Sequence, residues 1–127
     1  MPDPLAQFAS AKYISLETFR KTGAGVRTPV WFAADPAKPE LFYVYSAPDA
    51  GKVKRIRNNQ HVRVAPCDIR GNLRGAWIEA HARLVDGVEA DKGQQLLRQK
   101  YGWMKIVGDF FASFKKRKQA VLQISVG

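Results

Sequence analysis

Lys52, Lys54, Arg55 and Arg57 place four cations within six positions. They follow an aromatic, β-branched run over residues 41–45 that reads as a strand. Between the two, Ser46-Ala47-Pro48-Asp49-Ala50-Gly51 reads as a strand end, a tight turn and the opening of a short helix. Backbone N–H groups at a helix start have no intrahelical partner, and Lys or Arg beside them make a ready phosphate site. The stretch from 46 to 57 therefore predicts a seat for the phosphate of a small cofactor.

A second candidate lies upstream. Residues 26–33 read as one strand, with Val26, Thr28, Val30 and Phe32 opposite Arg27, Pro29, Trp31 and Ala33. Pro29 cannot donate to a sheet ladder, so this strand should be an edge or carry a bulge. An edge bearing a Pro and a Trp is a place for a flat ligand to lie; the alternative is that Trp31 is simply core.

Other chemistry has little support. His61 and His81 fall on different expected strands, with no His-x-Glu or Cys-x-x-Cys spacing beside them, so no metal site is expected. No Gly-x-Ser-x-Gly elbow is present. Gly23-Ala24-Gly25 lacks the third glycine and the βαβ context of a dinucleotide fingerprint. Cys67 reads as strand packing, with a reactive thiol beside Asp68 as the alternative. The basic run Lys115-Lys116-Arg117-Lys118 reads as a solvated helix end, with guidance of an acidic ligand tail as the alternative. A phosphate-type cation cluster with a Trp-bearing edge and no acid–base constellation fits chemistry that a cofactor supplies. Catalytic side chains stay unassigned.

The elements that must position these residues alternate with period two. Strands are expected over 13–20, 26–33, 41–46, 61–68, 76–85 and 120–126. In the fifth, Trp77, Glu79, His81 and Arg83 share one face. Asp3 is expected to cap a short first helix, and Asn58-Asn59 to stop the cationic one, docked through Val53 and Ile56. Residues 88–101 read as a helix with Val88, Leu96, Leu97 and Tyr101 inward, and 103–116 as a second helical piece. This order predicts a small antiparallel barrel with helical decoration, of the α+β class and mainly β.

The 127 residues read as a single domain over 1–127. Twenty-one Lys and Arg against eleven Asp and Glu give a formal charge of +10, so an anionic partner is expected. Nucleic acid, anionic lipid and a phosphorylated small molecule all satisfy that charge. No RNA-stacking or helix-turn-helix pattern accompanies it, which disfavours nucleic acid. No apolar run approaches the roughly 20 residues of a membrane helix. The N-terminus lacks a secretory pattern and there is one cysteine, so the cytoplasm is the expected location.

Four motifs then follow one another at intervals shared with a known family: Thr18-Phe19-Arg20-Lys21-x-Gly23, Thr28-Pro29-Val30-Trp31-Phe32, 51–59 (Gly51-Lys52-Val53-Lys54-Arg55-Ile56-Arg57-Asn58-Asn59), and Val62-x-Val64-Ala65-Pro66-Cys67-Asp68-x-Arg70-Gly71. The set resembles the pyridoxamine 5'-phosphate oxidase-like split β-barrel proteins, and within them the branch of deazaflavin (coenzyme F420)-dependent oxidoreductases. The resemblance spans about residues 11–126. It implies a homodimer of six-stranded antiparallel split barrels (FMN-binding split-barrel type) with peripheral helices and two cofactor clefts at the interface. It implies that the ring of FMN or F420 lies along Thr28, Pro29, Val30 and Trp31. It implies a phosphate gripped by Lys52, Lys54 and Arg55, with Ser46 at the strand end.

The function so implied is an oxidoreductase moving a hydride between the cofactor and a small conjugated substrate. Water or a cofactor hydroxyl is then the default proton source, since no side chain is an obvious general acid. Two other classes stay open: a non-catalytic flavin- or haem-binding protein on the same barrel, and a basic nucleic-acid-binding module.

Overall fold

Each strand expected from alternation is present in the computed structural model, which describes residues 4–47, 50–101 and 120–126. A 3-10 helix (Pro4–Phe8) leads into β1 (Tyr13–Phe19), β2 (Gly25–Trp31), β3 (Ala33–Ala34) and β4 (Leu41–Ser46). Then come α1 (Gly51–Asn58), β5 (His61–Cys67), β6 (Ile78–Val85), α2 (Gly87–Tyr101) and β7 (Ala120–Val126). The expected cap Asp3, the helical piece over 103–116 and the basic run at 115–118 lie outside the described residues.

All strand pairs are antiparallel, in the order β2-β1-β5-β6-β7-β4-β3. The two ends of that order, β2 and β3, are separated in the chain by Phe32 alone. One kinked strand thus passes from one edge of the sheet to the other and turns it into a split barrel. This is why seven strands replace the expected six.

The kink has a local cause. Phe32 gives its backbone N–H to the Tyr101 hydroxyl (3.2 Å), and its carbonyl lies 2.7 Å from that hydroxyl and 2.8 Å from Lys100 Nζ. Both polar groups of this peptide are taken by the end of α2 rather than by a neighbouring strand, so the ladder breaks there.

Inward-facing Ile14, Leu16, Val44, Val62, Val64, Leu122 and Ile124 are fully buried, as are Val53 and Ile56 of α1. Burial of each such side chain contributes about 1.5–3 kcal/mol. Helix α1 thereby plugs one end of the barrel, as its two apolar positions three apart predict. It stops at Asn58; Asn59 turns extended, and its side-chain oxygen accepts from the His61 N–H at 3.0 Å, which starts β5. Helix α2 packs on the outer surface through Leu97 and Tyr101 against Ala33, Tyr43 and Val121. Buried Asp35, just after β3, meets Lys92 of that helix, and this contact holds its carboxyl below the ordinary range.

Two expectations need correcting. Val88 is 85% exposed rather than inward. It sits nine positions before Leu97, and at about 100° per residue that is the opposite side of the helix. The strand expected over 76–85, β6 here, starts at Ile78. The reason is Gln7, whose amide accepts from the Ala76 N–H (2.9 Å) and donates to the Ala76 carbonyl (3.0 Å), replacing the ladder there. Trp77 leaves the strand beneath the guanidinium groups of Arg27 and Arg63, 4.8 and 4.9 Å from its ring.

Candidate functional site

The cationic stretch folds as expected into a strand end and a helix. Ser46 closes β4 as a buried residue, its hydroxyl donating to the Ala47 carbonyl at 3.2 Å. The helix N-cap is Ala50, which brings no polar side chain. Arg55 reaches across the barrel end, and its Nε donates to Thr18 Oγ1 at 2.6 Å. Lys52 is half-buried on the same flank, while Lys54 is exposed. Two residues apart, Lys52 and Lys54 diverge by about 200° around the helix, so Lys54 is not brought into the cluster.

The charges of this cluster are unbalanced. Burial pulls the Lys52 pKa down, and neighbouring Arg55 pulls it further. Burial does the same to Arg55, with Arg20 as the second cause. Among the described residues no carboxylate pairs with Arg20, Lys52 or Arg55. Crowding half-buried cations costs free energy that an anion would recover.

Among the described residues strand β2 is an edge, paired with β1 alone, as Pro29 predicts. Its residues divide by face. Thr28 and Val30 stand opposite Leu16 and Ile14 of the core, so they face inward. Pro29 and Trp31 stand opposite Ser15 and Tyr13 and face outward. Outside, a cavity of about 320 Å³ is lined by Tyr13, Pro29, Val30, Trp31, Tyr45 and Ile69. Trp31 stacks on Tyr101, with centroids 5.7 Å apart and planes at 27°. Pro29 and Trp31 thus share one aromatic recess from the outer face, and inward-facing Val30 also borders it, whereas Thr28, two residues further along the inner face, does not.

The two halves of the site sit at different heights on one strand. Arg55 touches Thr18, the register partner of Val26, and Trp31 is five residues further along. At about 3.4 Å per residue the offset is ~17 Å. A ligand meeting both must run along the free edge of β2. The recess, with its flat aromatic walls, fits a ring. The unbalanced cations fit a phosphate. At 320 Å³ the recess is at the low end of ligand pockets, about 300–1,000 Å³, so a ring there would stay partly uncovered by this chain.

Sequence reasoning missed Tyr13, Tyr45, Tyr101 and Lys100. Tyr13 and Tyr45 carried a signal, since each falls on the outward period of its strand near the edge that Pro29 marks. Burial pushes the Tyr45 hydroxyl pKa up to about 12, so it stays protonated. Nothing in the sequence ties Tyr101 and Lys100 to Phe32, 69 and 68 positions away. Lys100 Nζ reaches the carbonyls of Ala11 (2.9 Å) and Phe32 (2.8 Å) and lies 3.6 Å from the Phe32 ring centroid. Burial brings its pKa down to about 8.

The two histidines, expected on separate strands, are register partners. His61 stacks on Phe19, with centroids 5.4 Å apart, and its Nε2 lies 2.8 Å from Glu79 Oε2. Among the described residues no three His, Cys, Asp or Glu side chains gather where they could hold a metal ion. Nor, among them, is any helix long and apolar enough to cross a membrane.

The sequence matches no protein-family model and no curated protein. Solved structures do match. A candidate pyridoxamine 5'-phosphate oxidase from Listeria innocua superposes with a TM-score of 0.65 at 14% identity, over 96% of this chain and 89% of its own. An FAD-binding protein from Mesorhizobium loti gives 0.64 at 14%, over 98% and 87%. The haem storage protein HutZ of Vibrio cholerae gives 0.68 at 13%, over 93% and 83%. This chain shares their fold. The oxidase-like split barrel expected from the four motifs is therefore the architecture present; at these identities the likeness speaks for fold alone.

Proposed function

We propose that this chain is an oxidoreductase that uses FMN or the deazaflavin F420 and works as a homodimer. The observation that carries the reading is the cluster of Lys52 and Arg55, buried enough to be destabilised, flanked by Arg20, and matched by no carboxylate among the described residues. Lys52 and Arg55 would hold the phosphate, each bond being charge-assisted and contributing about 1.5–3 kcal/mol. Pro29 and Trp31 would carry the ring in the aromatic recess, with Tyr45 and Tyr13 as its walls. When bound, such a ring supplies hydride chemistry that no side chain here provides. Tyr45, held protonated, can donate but not accept a proton near neutral pH. A second copy would cover the part of the recess that this chain leaves open. The flavin-binding neighbour supports the flavin reading; the F420 branch rests on the sequence motifs.

The test is titration of the purified protein with FMN, F420 and haemin, followed by absorbance. Micromolar binding of FMN or F420, weakened about tenfold or more in each of Lys52→Ala and Arg55→Ala, is expected. Binding untouched by both substitutions would sink the phosphate clamp. Haemin binding with neither flavin nor deazaflavin would favour the haem-binding alternative, which the HutZ likeness supports.

A further inference from the structure

A second chamber, of about 570 Å³, opens on the other side of Tyr13 and Ile69, the two residues it shares with the aromatic recess. Its walls come from Gln7 of the first helix and the segment after it, from the end of β5 and the turn that follows, and from Arg74. Ala11, Pro66, Cys67 and Ile69 make an apolar floor, whereas Lys12 and Arg74 bring positive charge. The polar groups beside them are already committed. The Gln7 amide is used in both directions by Ala76. The Asp68 carboxylate accepts from the Arg70 N–H (2.9 Å), the Asn72 N–H (2.9 Å) and Asn72 Nδ2 (3.0 Å). Arg74 stands 3.6 Å from Asp68, too far for a direct hydrogen bond, so its donors are only loosely engaged there.

The same Asp68 bonds have a second consequence. They brace the turn over 68–72, and Ile69 at its tip is 67% exposed. An exposed Ile on a braced turn is a fixed apolar wall between two cavities rather than a side chain left over by collapse. We propose that this chamber seats a small organic acid, with its carboxylate toward Arg74 and Lys12 and its apolar body over Pro66 and Cys67, next to the ring site. Only the position next to a ring rests on the cofactor reading above; the anion site stands on the chamber itself.

Cys67 is the one cysteine of the chain and lines this chamber as a buried residue. Burial and neighbouring Asp68 push its thiol pKa up, so it reacts slowly; its alkylation is followed at alkaline pH, where access through the chamber sets the rate. The experiment follows alkylation of Cys67 by iodoacetamide, without cofactor, in rising benzoate and separately in rising benzamide, its neutral isostere. Benzoate is expected to slow alkylation saturably, and benzamide to act much more weakly. Arg74→Gln is expected to raise the half-protecting benzoate concentration about tenfold, as loss of a charge-assisted bond does. Lys12→Gln, at an exposed position away from the braced turn, is expected to raise it as well, which keeps the test sound if Arg74→Gln disturbs the loop. Equal protection by benzamide, no protection by benzoate, or no effect of both variants overturns the proposal. A separate FMN and F420 titration keeps the two ideas apart. Protection by benzoate without cofactor binding upholds the chamber and removes the ring from its side; cofactor binding without protection does the reverse.

Discussion

Lys100 shows how a single half-buried cation ties stability to pH. Its folded pKa is about 8 against an ordinary 10.5, so between those values the unfolded chain holds more protons than the folded one. Stability must then rise with pH through that window. Tyr45 and Tyr101 act the other way: burial raises both hydroxyls, so above pH 10 the folded chain keeps protons that the unfolded chain has lost, and stability falls. Denaturant midpoints measured from pH 7 to 11 should rise and then fall, and Lys100→Met should flatten the rising limb. A rising limb of unchanged slope in that variant would remove Lys100 as its source. Lys52 carries a related expectation for binding. Its lowered pKa means that anion affinity should decline at alkaline pH earlier than an ordinary lysine would dictate.

At the scale of elements, α2 positions the aromatic recess. Tyr101 supports Trp31 by stacking and satisfies the Phe32 peptide, the point where the second strand kinks. Tyr101→Phe leaves the buried Phe32 N–H without this acceptor and should cost about 1–3 kcal/mol, read as a lower denaturant midpoint. An unchanged midpoint would mean that the kink does not depend on the hydroxyl. Gly93 controls how closely the helix approaches the sheet. A Cβ there would lie 2.7 Å from Tyr43 Cδ1 and 3.0 Å from Val121 Cγ1. Gly93→Ala should therefore push the helix outward at about 1–3 kcal/mol, despite alanine's better helix propensity. A variant more stable than the parent would show that Tyr43 can swing aside.

At the scale of the molecule, the recess on β2 and the chamber beyond Ile69 both open to the surface, so covering either takes further chain or a second copy. The homodimer reading predicts a sedimenting species of twice the 14.2 kDa chain mass. A monomer at working concentrations would leave the proposed ring half-exposed and argue against hydride chemistry in this recess. The charge of +10 predicts anion binding that weakens as salt rises, because screening shortens to ~8 Å near physiological ionic strength. Half-buried Lys52 and Arg55 should lose less of their hold than an exposed cation such as Lys54.

What could be read from the chain alone was whatever depends on near neighbours. Alternation placed the strands within a residue or two, because a pleated strand shows every second side chain to the core. Val53 and Ile56 docked the cationic helix, Pro29 marked the edge, and Asn58-Asn59 ended α1, all through interactions spanning a few positions. Of the four cations read from the sequence, Lys52 and Arg55 form the cluster, while Lys54 and Arg57 are exposed, a division that needs the helix Val53 and Ile56 orient. The structure alone decided what depends on residues far apart in sequence. Gln7 stops β6 from starting at Ala76, Tyr101 and Lys100 break the strand at Phe32, and Thr28 and Trp31 part to opposite faces of one edge. Each of these is a polar group or a face whose partner arrives from elsewhere in the fold, and one-dimensional spacing carries no record of that partner. The stretch from 46 to 57 predicts an anion site by itself; the aromatic recess depends on strands that only the fold brings together, with Tyr101 of α2 supporting Trp31 from behind.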